Sequence, residues 1–260
     1  MRIVRLLGTA FSLALRRALA YRTNLFFDVL LALVQLGASI GTIGIVFSQT
    51  GLLAGWSAGQ MLVLIGTYSL ITGLRATLLD PGLADFSDQI RDGRLDVYLL
   101  QPANSLLLAT STRHAPVALV QGVLGAVVII LGLRELAIVP SPVALAGWSF
   151  LTLLGLLIGW ATSVALASLA FWAPRLNLGV LHGAAWEFGR YPIDIYGRWL
   201  RQLLTFAFPV AAITTWPAQT LIYGPDLGTM LMAVVLAVGF TAGTTLVWQL
   251  GMRRYTGATS

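Results

Sequence analysis

Long apolar stretches recur along this chain and leave little room between them. Each is about 20 residues long, the length at which an α-helix rising 1.5 Å per residue crosses a hydrocarbon core of roughly 30 Å. Charged residues make up only 10% of the 260 residues, whereas soluble proteins average about 25%. The sequence therefore predicts an all-α integral membrane protein, with residues 1–260 forming a single transmembrane domain.

We count six predicted membrane spans. The connections between them are short and polar or glycine-rich, except for a charged loop after the second span. The fifth span is less apolar than the others. The spans cover residues 25–47, 58–79, 105–133, 143–172, a segment that begins near residue 176, and 227–250.

Residues 1–22 precede the first span and place polar side chains on one helical face. These side chains recur at intervals of three and four residues, at Arg2, Arg5, Thr9, Ser12 and Arg16. Apolar residues cover much of the remaining surface, so the pattern predicts a helix that lies in the membrane interface. An ordinary positively charged leader to the first span is the alternative, and both place the N-terminus in the cytoplasm.

All 16 basic residues are arginines, because the chain contains no lysine. With the N-terminus inside, only Arg134, Arg198 and Arg201 fall clearly on the outer side, which agrees with the positive-inside rule. Both termini are then cytoplasmic. The arginine-only basic set is typical of a GC-rich bacterial genome, so we expect a multi-pass protein of the bacterial cytoplasmic membrane. A nucleotide-binding P-loop is excluded, since that motif requires a lysine.

Residues 80–104 form a charged loop between the second and third spans. Its charges would each cost roughly 2.5 to 3.5 kcal/mol near the bilayer centre, so the loop stays in water. Asp80 is suited to cap a helix, Pro81 to its first position and Gly93 to its end. This pattern predicts a cytoplasmic helix of about three turns.

The predicted loop helix has two different faces. Leu83, Phe86 and Ile90 share an apolar face, and the aspartates at 85, 88 and 92 share another. A helix that only rests on lipid headgroups is the alternative, but it should be basic towards anionic lipid. The acidic face favours a protein partner. The candidate partner-contact residues are Leu83, Asp85, Phe86, Asp88, Ile90, Arg91, Asp92, Arg94 and Asp96.

Residues 191–223 are irregular, with Pro192, Pro209 and Pro217 between short apolar pieces. Each proline removes a backbone donor, and unpaired backbone groups cannot face lipid. We therefore predict a re-entrant helical hairpin on the outer side, shielded by protein. A seventh crossing is the alternative, but it would place Arg253 and Arg254 outside.

Charged residues within the predicted membrane region form a second candidate site. Glu187, Arg190 and Asp194 are spaced by three and four residues, so one helical face can hold an ion-paired cluster. Arg75 and His182 also lie within predicted spans. Such groups usually face protein or a water-filled cavity. A role in a translocation path and a purely structural role both remain open for these five residues.

Enzyme chemistry has little support in the sequence. The chain has no cysteine, and His114 and His182 lie on different predicted segments, so we expect no metal site. The string GWSAG resembles a hydrolase nucleophile elbow, but that motif needs a strand before its serine. Ser57 follows a predicted membrane helix instead and is better suited to cap the second span. We predict no catalytic residues.

Three strings resemble permease subunits of type-2 ABC exporters, in a six-helix branch of that family. They are IRDGRLDVYLLQPANSL, WEFGRYPIDIYGRWLRQLLTFAFPVAAITTWPA and MRRYTGATS. The resemblance implies a second permease subunit, identical or homologous, and two copies of a separate nucleotide-binding ATPase. It implies that ATP and magnesium bind to that ATPase and that this chain binds no cofactor. It also implies that the helix Asp80 to Gly93 is the coupling helix.

The leading hypothesis is therefore an ATP-driven exporter of an amphipathic or hydrophobic compound. The alternative is a secondary transporter that uses an ion gradient, with Glu187, Arg190 and Asp194 as its coupling site. That class usually shows inverted repeats and broken helices at the membrane midplane, and no repeat relates the halves of this chain. Contacts with membrane lipids are expected. Nucleic acid is not, because aromatic residues do not alternate with arginine.

Overall fold

The structure is a computed structural model of the chain. It describes all residues except 1, 21, 85, 102–103, 112, 174–178 and 256–260. The side chains of residues 2–7, 18–19, 22–24, 91, 111 and 179 are also outside the description. Within these limits the fold is helical, and the only strand-like pairing is an isolated bridge between Leu53 and Trp56.

Thirteen α-helices account for most of the described residues. In chain order they are α1 (Arg2–Ala20), α2 (Arg22–Gln49), α3 (Ala58–Leu78), α4 (Asp80–Ala84), α5 (Phe86–Arg91), α6 (Asp96–Leu99), α7 (Ser105–Ser111), α8 (Leu119–Glu135), α9 (Pro142–Ser168), α10 (Gly179–Glu187), α11 (Arg198–Phe206), α12 (Trp216–Tyr223) and α13 (Leu227–Met252). The predicted interfacial helix corresponds to α1, and its placement in the membrane interface stays a prediction.

Five stretches of the described residues are long and apolar enough to cross a membrane. They are Leu25–Gln49, Ala58–Leu78, Pro116–Glu135, Pro142–Phe171 and Leu227–Met252. The prediction of an all-α membrane protein is confirmed, and the protein is multi-pass. We call the side of the membrane that carries residues 80–104 the loop side, and the opposite side the far side.

The third predicted span, residues 105–133, is divided in the structure. The helix α7 ends at Ser111, and the membrane-crossing stretch begins at Pro116. A proline disfavours helical backbone at the preceding residue. The N–H of Ala115 accordingly donates to the carbonyl of Thr77 in α3, at 3.0 Å. The crossing helix is therefore shorter than predicted, and its first residues form a separate helix.

The fifth predicted span is represented by α10, which has nine residues. At 1.5 Å per residue this helix covers only about 14 Å, less than half of a hydrocarbon core. It narrows to a 3₁₀ turn at Phe188–Arg190, and Pro192 follows. The helix break predicted at Pro174 and Arg175 lies outside the described residues. The described residues thus contain five helices of span length, whereas the sequence predicts six spans.

Residues 191–223 fold as a helix, a turn and a second helix. Near the start of this segment, the indole N–H of Trp56 donates to the Asp194 carboxylate at 3.1 Å. Trp56 lies in the far-side connection between α2 and α3. Near the end of the segment, Thr220 packs against Gly147, close to the far-side start of α9. Both ends of the segment therefore lie on the far side.

The middle of this segment reaches deeper into the molecule. Val210 packs against Gly189 at the turn, and Ile213 packs against Gly155 in the middle of α9. A π-helix, Ala211–Thr215, connects this depth to α12. All five of its residues are buried, so its backbone is shielded by protein, as non-helical or irregular backbone at membrane depth must be.

The centre of the molecule is the contact between α3 and α8. Six glycines of these helices lie in the contact, at Gly59, Gly66, Gly73, Gly122, Gly125 and Gly132. A Cβ atom added to Gly66 would lie 2.7 Å from the carbonyl oxygen of Gly125. The two backbones therefore touch directly, as small residues allow in membrane helices.

Candidate functional site

The charged loop begins without a break at the end of α3. The carbonyl of Leu79 accepts the N–H groups of Gly82 and Leu83, both at 3.1 Å, so Leu79 occupies the cap position that we predicted for Asp80. The Asp80 carboxylate instead pairs with Arg75, at 3.3 Å. Burial raises the pKa of Asp80, and the positive charge of Arg75 opposes that shift.

The loop helix ends at Gly93, as the sequence predicts. Gly93 has a φ of +68°, which favours glycine. The N–H of Arg94 donates to the carbonyl of Gln89 at 3.0 Å, the six-to-one bond of a Schellman motif. The predicted three-turn helix is present as α4 and α5. Asp85, between them, lies outside the described residues.

The apolar face of the loop is buried in protein. Phe86 is fully buried, Ile90 is nearly so, and Leu83 packs against the same cluster. The cluster also contains Val164 of α9 and Trp248 of α13. Leu83, Phe86 and Ile90 therefore attach the loop to the ends of the membrane helices and are not available to a partner.

Four aromatic residues form a clamp that holds the loop. The rings of Phe86 and Trp248 are stacked with centroids 5.7 Å apart, and Phe171 contacts the edges of both Trp248 and Tyr255. The Tyr255 hydroxyl accepts the backbone N–H of Leu95 at 3.1 Å. Burial, and secondarily the charge of Asp96, raises the pKa of Tyr255. The clamp ties the loop to α9 and α13.

The tip of the loop is exposed. Asp92 and Arg94 pair at 2.8 Å, with more than half of each side chain exposed. On α6, Val97 is 64% exposed and Leu100, just after it, is 85% exposed. Asp88 is half-buried and has its own partner. The Arg91 side chain lies outside the described residues. The tip thus offers a charged pair beside an apolar surface.

A polar seam runs from the loop into the membrane, between α3 and α10. Its loop-side end is Arg75, whose side chain is only 13% exposed. Besides Asp80, Arg75 contacts the His182 ring at 3.3 Å and lies 4.0 Å from the centroid of the Trp186 indole. His182 in turn shares a hydrogen bond with Thr162 of α9, at 3.2 Å. One arginine therefore connects three membrane helices to the loop.

The seam continues towards the middle of α3. The indole N–H of Trp186 donates to the Thr72 hydroxyl at 3.0 Å, and the Tyr68 hydroxyl donates to the Glu187 carboxylate at 3.1 Å. Glu187 also pairs with Arg190, at 2.7 Å. The seam thus has three rungs, each of which joins a side chain of α3 to one of α10.

Asp194 does not belong to this cluster. The turn at Phe188–Arg190 ends the helix, so the predicted face shared by Glu187, Arg190 and Asp194 does not continue. Asp194 instead contacts Arg201, with 3.7 Å between carboxylate and guanidinium. The structure therefore joins Arg75 and His182, and Glu187 and Arg190, along one seam, and places Asp194 on the far side.

Several residues of these sites were not predicted. Tyr68 and Thr72 are two of them, and they precede the predicted Arg75 at spacings of four and three residues, which marks a polar face of an otherwise apolar span. That spacing was a usable signal for the seam. No sequence signal indicated that Phe171 and Trp248 form a clamp, because aromatic residues near span ends are expected as interfacial anchors.

The geometry of the fold and of these sites identifies a class of protein, and the sequence comparison identifies the family. Five span-length helices among the described residues, a polar seam at membrane depth and a charged loop clamped to the helix ends define a multi-pass α-helical membrane protein. The family model for ABC-2 family transporter protein matches residues 33–259, so the chain belongs to that family. No curated protein and no solved structure matches the chain.

Family membership gives the protein its general role. The chain is a membrane subunit of an ABC-type transporter, and membrane subunits of this family generally work with an ATPase subunit. The resemblance found in the sequence is thereby confirmed.

Proposed function

We propose that this chain is the permease subunit of an ATP-driven exporter in the bacterial cytoplasmic membrane. In this proposal both termini and the loop are cytoplasmic, and the loop tip docks on a separate ATPase subunit that binds ATP and magnesium. Two permease subunits and two ATPase subunits make the complete transporter. The observation that supports the docking role is a loop fixed to the membrane helices on one face and exposed at its tip.

The loop is built to transmit a displacement. The clamp attaches it to α9 and α13, and the Arg75–Asp80 pair attaches it to α3 and α10. A movement of the tip therefore moves the ends of four helices together, because close-packed elements shift as rigid bodies. ATP binding draws the ATPase subunits together, and the attached helix ends open the path for the cargo towards the far side.

The cargo in this proposal is an amphipathic or hydrophobic compound. The contact surface for the ATPase differs from the predicted set, because Phe86 and Ile90 are buried and the half-buried Leu83 packs against them. Asp92, Arg94 and the exposed apolar residues of α6 remain as the docking surface. The role of this chain is mechanical, and bond cleavage takes place on the partner.

The experiment that tests this proposal compares two charge reversals on the same side of the membrane. Arg94→Glu changes the loop tip, and Arg254→Glu changes an exposed arginine after α13. Each tagged variant is purified from its host in mild detergent, and the co-purifying proteins are identified and quantified by mass spectrometry. We expect a P-loop ATPase with the unaltered chain and with Arg254→Glu, and at least about a tenfold loss with Arg94→Glu, since a charged contact is worth roughly 1.5–3 kcal/mol.

Two results would contradict the proposal. If no P-loop protein co-purifies with the unaltered chain, this chain does not work with a separate, stably bound ATPase subunit. If Arg94→Glu and Arg254→Glu retain equal amounts of the ATPase, the loop tip is not the docking surface.

A further inference from the structure

The loop-side half of α2 stands away from α3 and α8 and leaves a crevice between them. Its lining includes Asp28, Gln35 and Gln121, and it encloses a cavity of about 320 Å³. That size lies within the range of roughly 300–1,000 Å³ that small-molecule sites occupy. A smaller space, also lined by Gln35 and Gln121, extends the crevice to Tyr68 and Arg190 in the middle of the membrane region.

The crevice is closed towards the far side. Beyond Ser39, the side chain of Ile43 is only 5% exposed and packs in a cluster with Trp56 and Val63. Among the residues of α2 whose exposure the structure describes, Ile43 alone is buried. The helix therefore packs most closely in its far-side half, and the crevice extends towards the loop side, where α1 lies against Pro116–Ala118.

The lining of the crevice differs from the lipid-facing surface beside it. Leu33 and Val34 of α2, which face away, are about half exposed and apolar. Gln35, the next residue of α2, and Gln121 of α8 line the crevice instead. Polar groups in a membrane region usually face protein or a water-filled cavity, and such residues mark substrate paths. The crevice is thus a space with mostly apolar walls directly beside lipid, and Asp28, Gln35 and Gln121 are its polar groups.

We propose that this crevice binds the uncharged polar headgroup of an amphipathic cargo, whose apolar tail stays in the neighbouring lipid. The inference rests on the proposed export function and specifies its cargo class. A carboxamide both donates and accepts hydrogen bonds, so Gln35 and Gln121 suit a headgroup with hydroxyl or amide groups. Asp28 at the mouth disfavours anionic headgroups, and the deeper Arg190 is already paired with Glu187. The crevice lies in the loop-side half of the membrane region, so the cargo enters from the leaflet on that side.

The first test measures whether the crevice is wet. The chain has no cysteine, so Ala32→Cys, in the crevice lining, and Leu33→Cys, on the lipid-facing side, each introduce a single thiol. Each variant is reconstituted in phosphatidylcholine vesicles and treated with a charged methanethiosulfonate reagent. The thiolate is the reacting form and requires water, so we expect Ala32→Cys to react at least about tenfold faster. Equal rates would overturn the proposal.

The second test measures headgroup recognition. Monoglucosyl diacylglycerol and plain diacylglycerol have the same tails, and each is added to the Ala32→Cys vesicles. At a glycolipid level of about twice its dissociation constant, the reaction should slow about threefold. Plain diacylglycerol should have no effect, and Gln121→Leu should abolish the protection. Equal protection by both lipids, or by neither, would overturn the assignment.

These measurements need no ATPase. Their failure would remove the headgroup site and leave the docking role of the loop to be decided by the Arg94→Glu experiment. A failed docking experiment would likewise leave the thiol rates interpretable.

Discussion

Glycines occupy different positions in two helix contacts. One is the contact between α3 and α8, and the other is the contact of α2 with the same two helices. In α3 and α8, the glycines lie where the two backbones touch. In α2, a Cβ atom on Gly37, Gly41 or Gly44 would meet nothing within 4 Å. The first arrangement fixes two helices against each other. The second leaves a helix whose glycines take no part in packing within the chain.

This difference separates a rigid part of the molecule from a part that can move. Hydrophobic burial does not distinguish helix contact from lipid contact, so the strength of a membrane helix contact depends on packing. The α3–α8 pair has that packing along its length, and among the described residues of α2 only Ile43 is buried, with Leu36 and Phe47 packed beside it. A transporter needs both kinds of contact. A rigid pair of helices transmits a displacement, and a loosely packed helix can change its position in response.

The largest effect is expected from filling the rigid contact. Gly66→Leu would place a side chain where even a Cβ atom lies 2.7 Å from the backbone of α8. We expect a loss of about 3 kcal/mol, the upper end for overpacking, seen as a lower melting temperature of the detergent-solubilised chain. The matched variant Gly41→Leu points into open space and should leave the melting temperature nearly unchanged. Equal losses in both would refute the distinction between the contacts.

A smaller effect tests whether the rigid part extends into the loop. Arg75→Gln removes the cation beside Asp80, whose pKa burial already raises. Asp80 then takes up a proton more readily in the folded than in the unfolded chain, so stability falls as pH rises through this raised pKa. Because Asp80 is partly exposed, we expect a loss of about 1–2 kcal/mol at about pH 8 and a smaller one at about pH 5.

The control for this experiment is Arg94→Gln, which breaks an exposed pair at the loop tip. Thermal unfolding of both variants at the two pH values gives the comparison. Arg94→Gln should have little effect at either pH, since exposed pairs contribute little. A loss in Arg75→Gln that does not depend on pH would show that Asp80 is not the group left without its partner.

The smallest effect concerns the packing of Ile43, the residue of α2 that is buried among those whose exposure is described. Ile43→Ala removes packing but costs little transfer free energy, because lipid is as apolar as the site, so we expect a loss of about 1 kcal/mol. The loosened helix should also expose the thiol of Ala32→Cys to reagent more often. Ile45→Ala, at a position 71% exposed, is the control and should change neither quantity. An unchanged thiol rate in Ile43→Ala would mean that this contact does not hold α2.

Much of this architecture follows from the sequence because lipid imposes strict rules on it. Apolar stretches of span length must be helical, which locates the crossings, and Gly93 ends the loop helix because its backbone is left-handed. Ser57 caps α3 through a complete capping box with Gln60, as its position predicts. These features depend on local chemistry, and a single sequence carries that information.

Contacts between distant segments were harder to predict. Phe86 was included among the candidate partner contacts with the rest of the loop helix, but Trp248 covers it. Asp194 has the right spacing to join Glu187, yet the turn before Pro192 directs it elsewhere. Spacing along a chain determines a shared face only while the helix continues, and tertiary contacts decide which faces are covered.

The clamp also has a consequence for how the protein is made. The bond between Leu95 and Tyr255 joins residues 160 positions apart, and Tyr255 is synthesised after all the membrane-crossing helices. At about 5–20 residues per second, roughly 8–30 s pass between the synthesis of the loop and that of the residue that fixes it. During that interval the loop lacks the hydrogen bond that Tyr255 accepts from Leu95. A partner that recognises only the clamped loop would therefore bind chains that extend past Tyr255 and would not bind shorter ones.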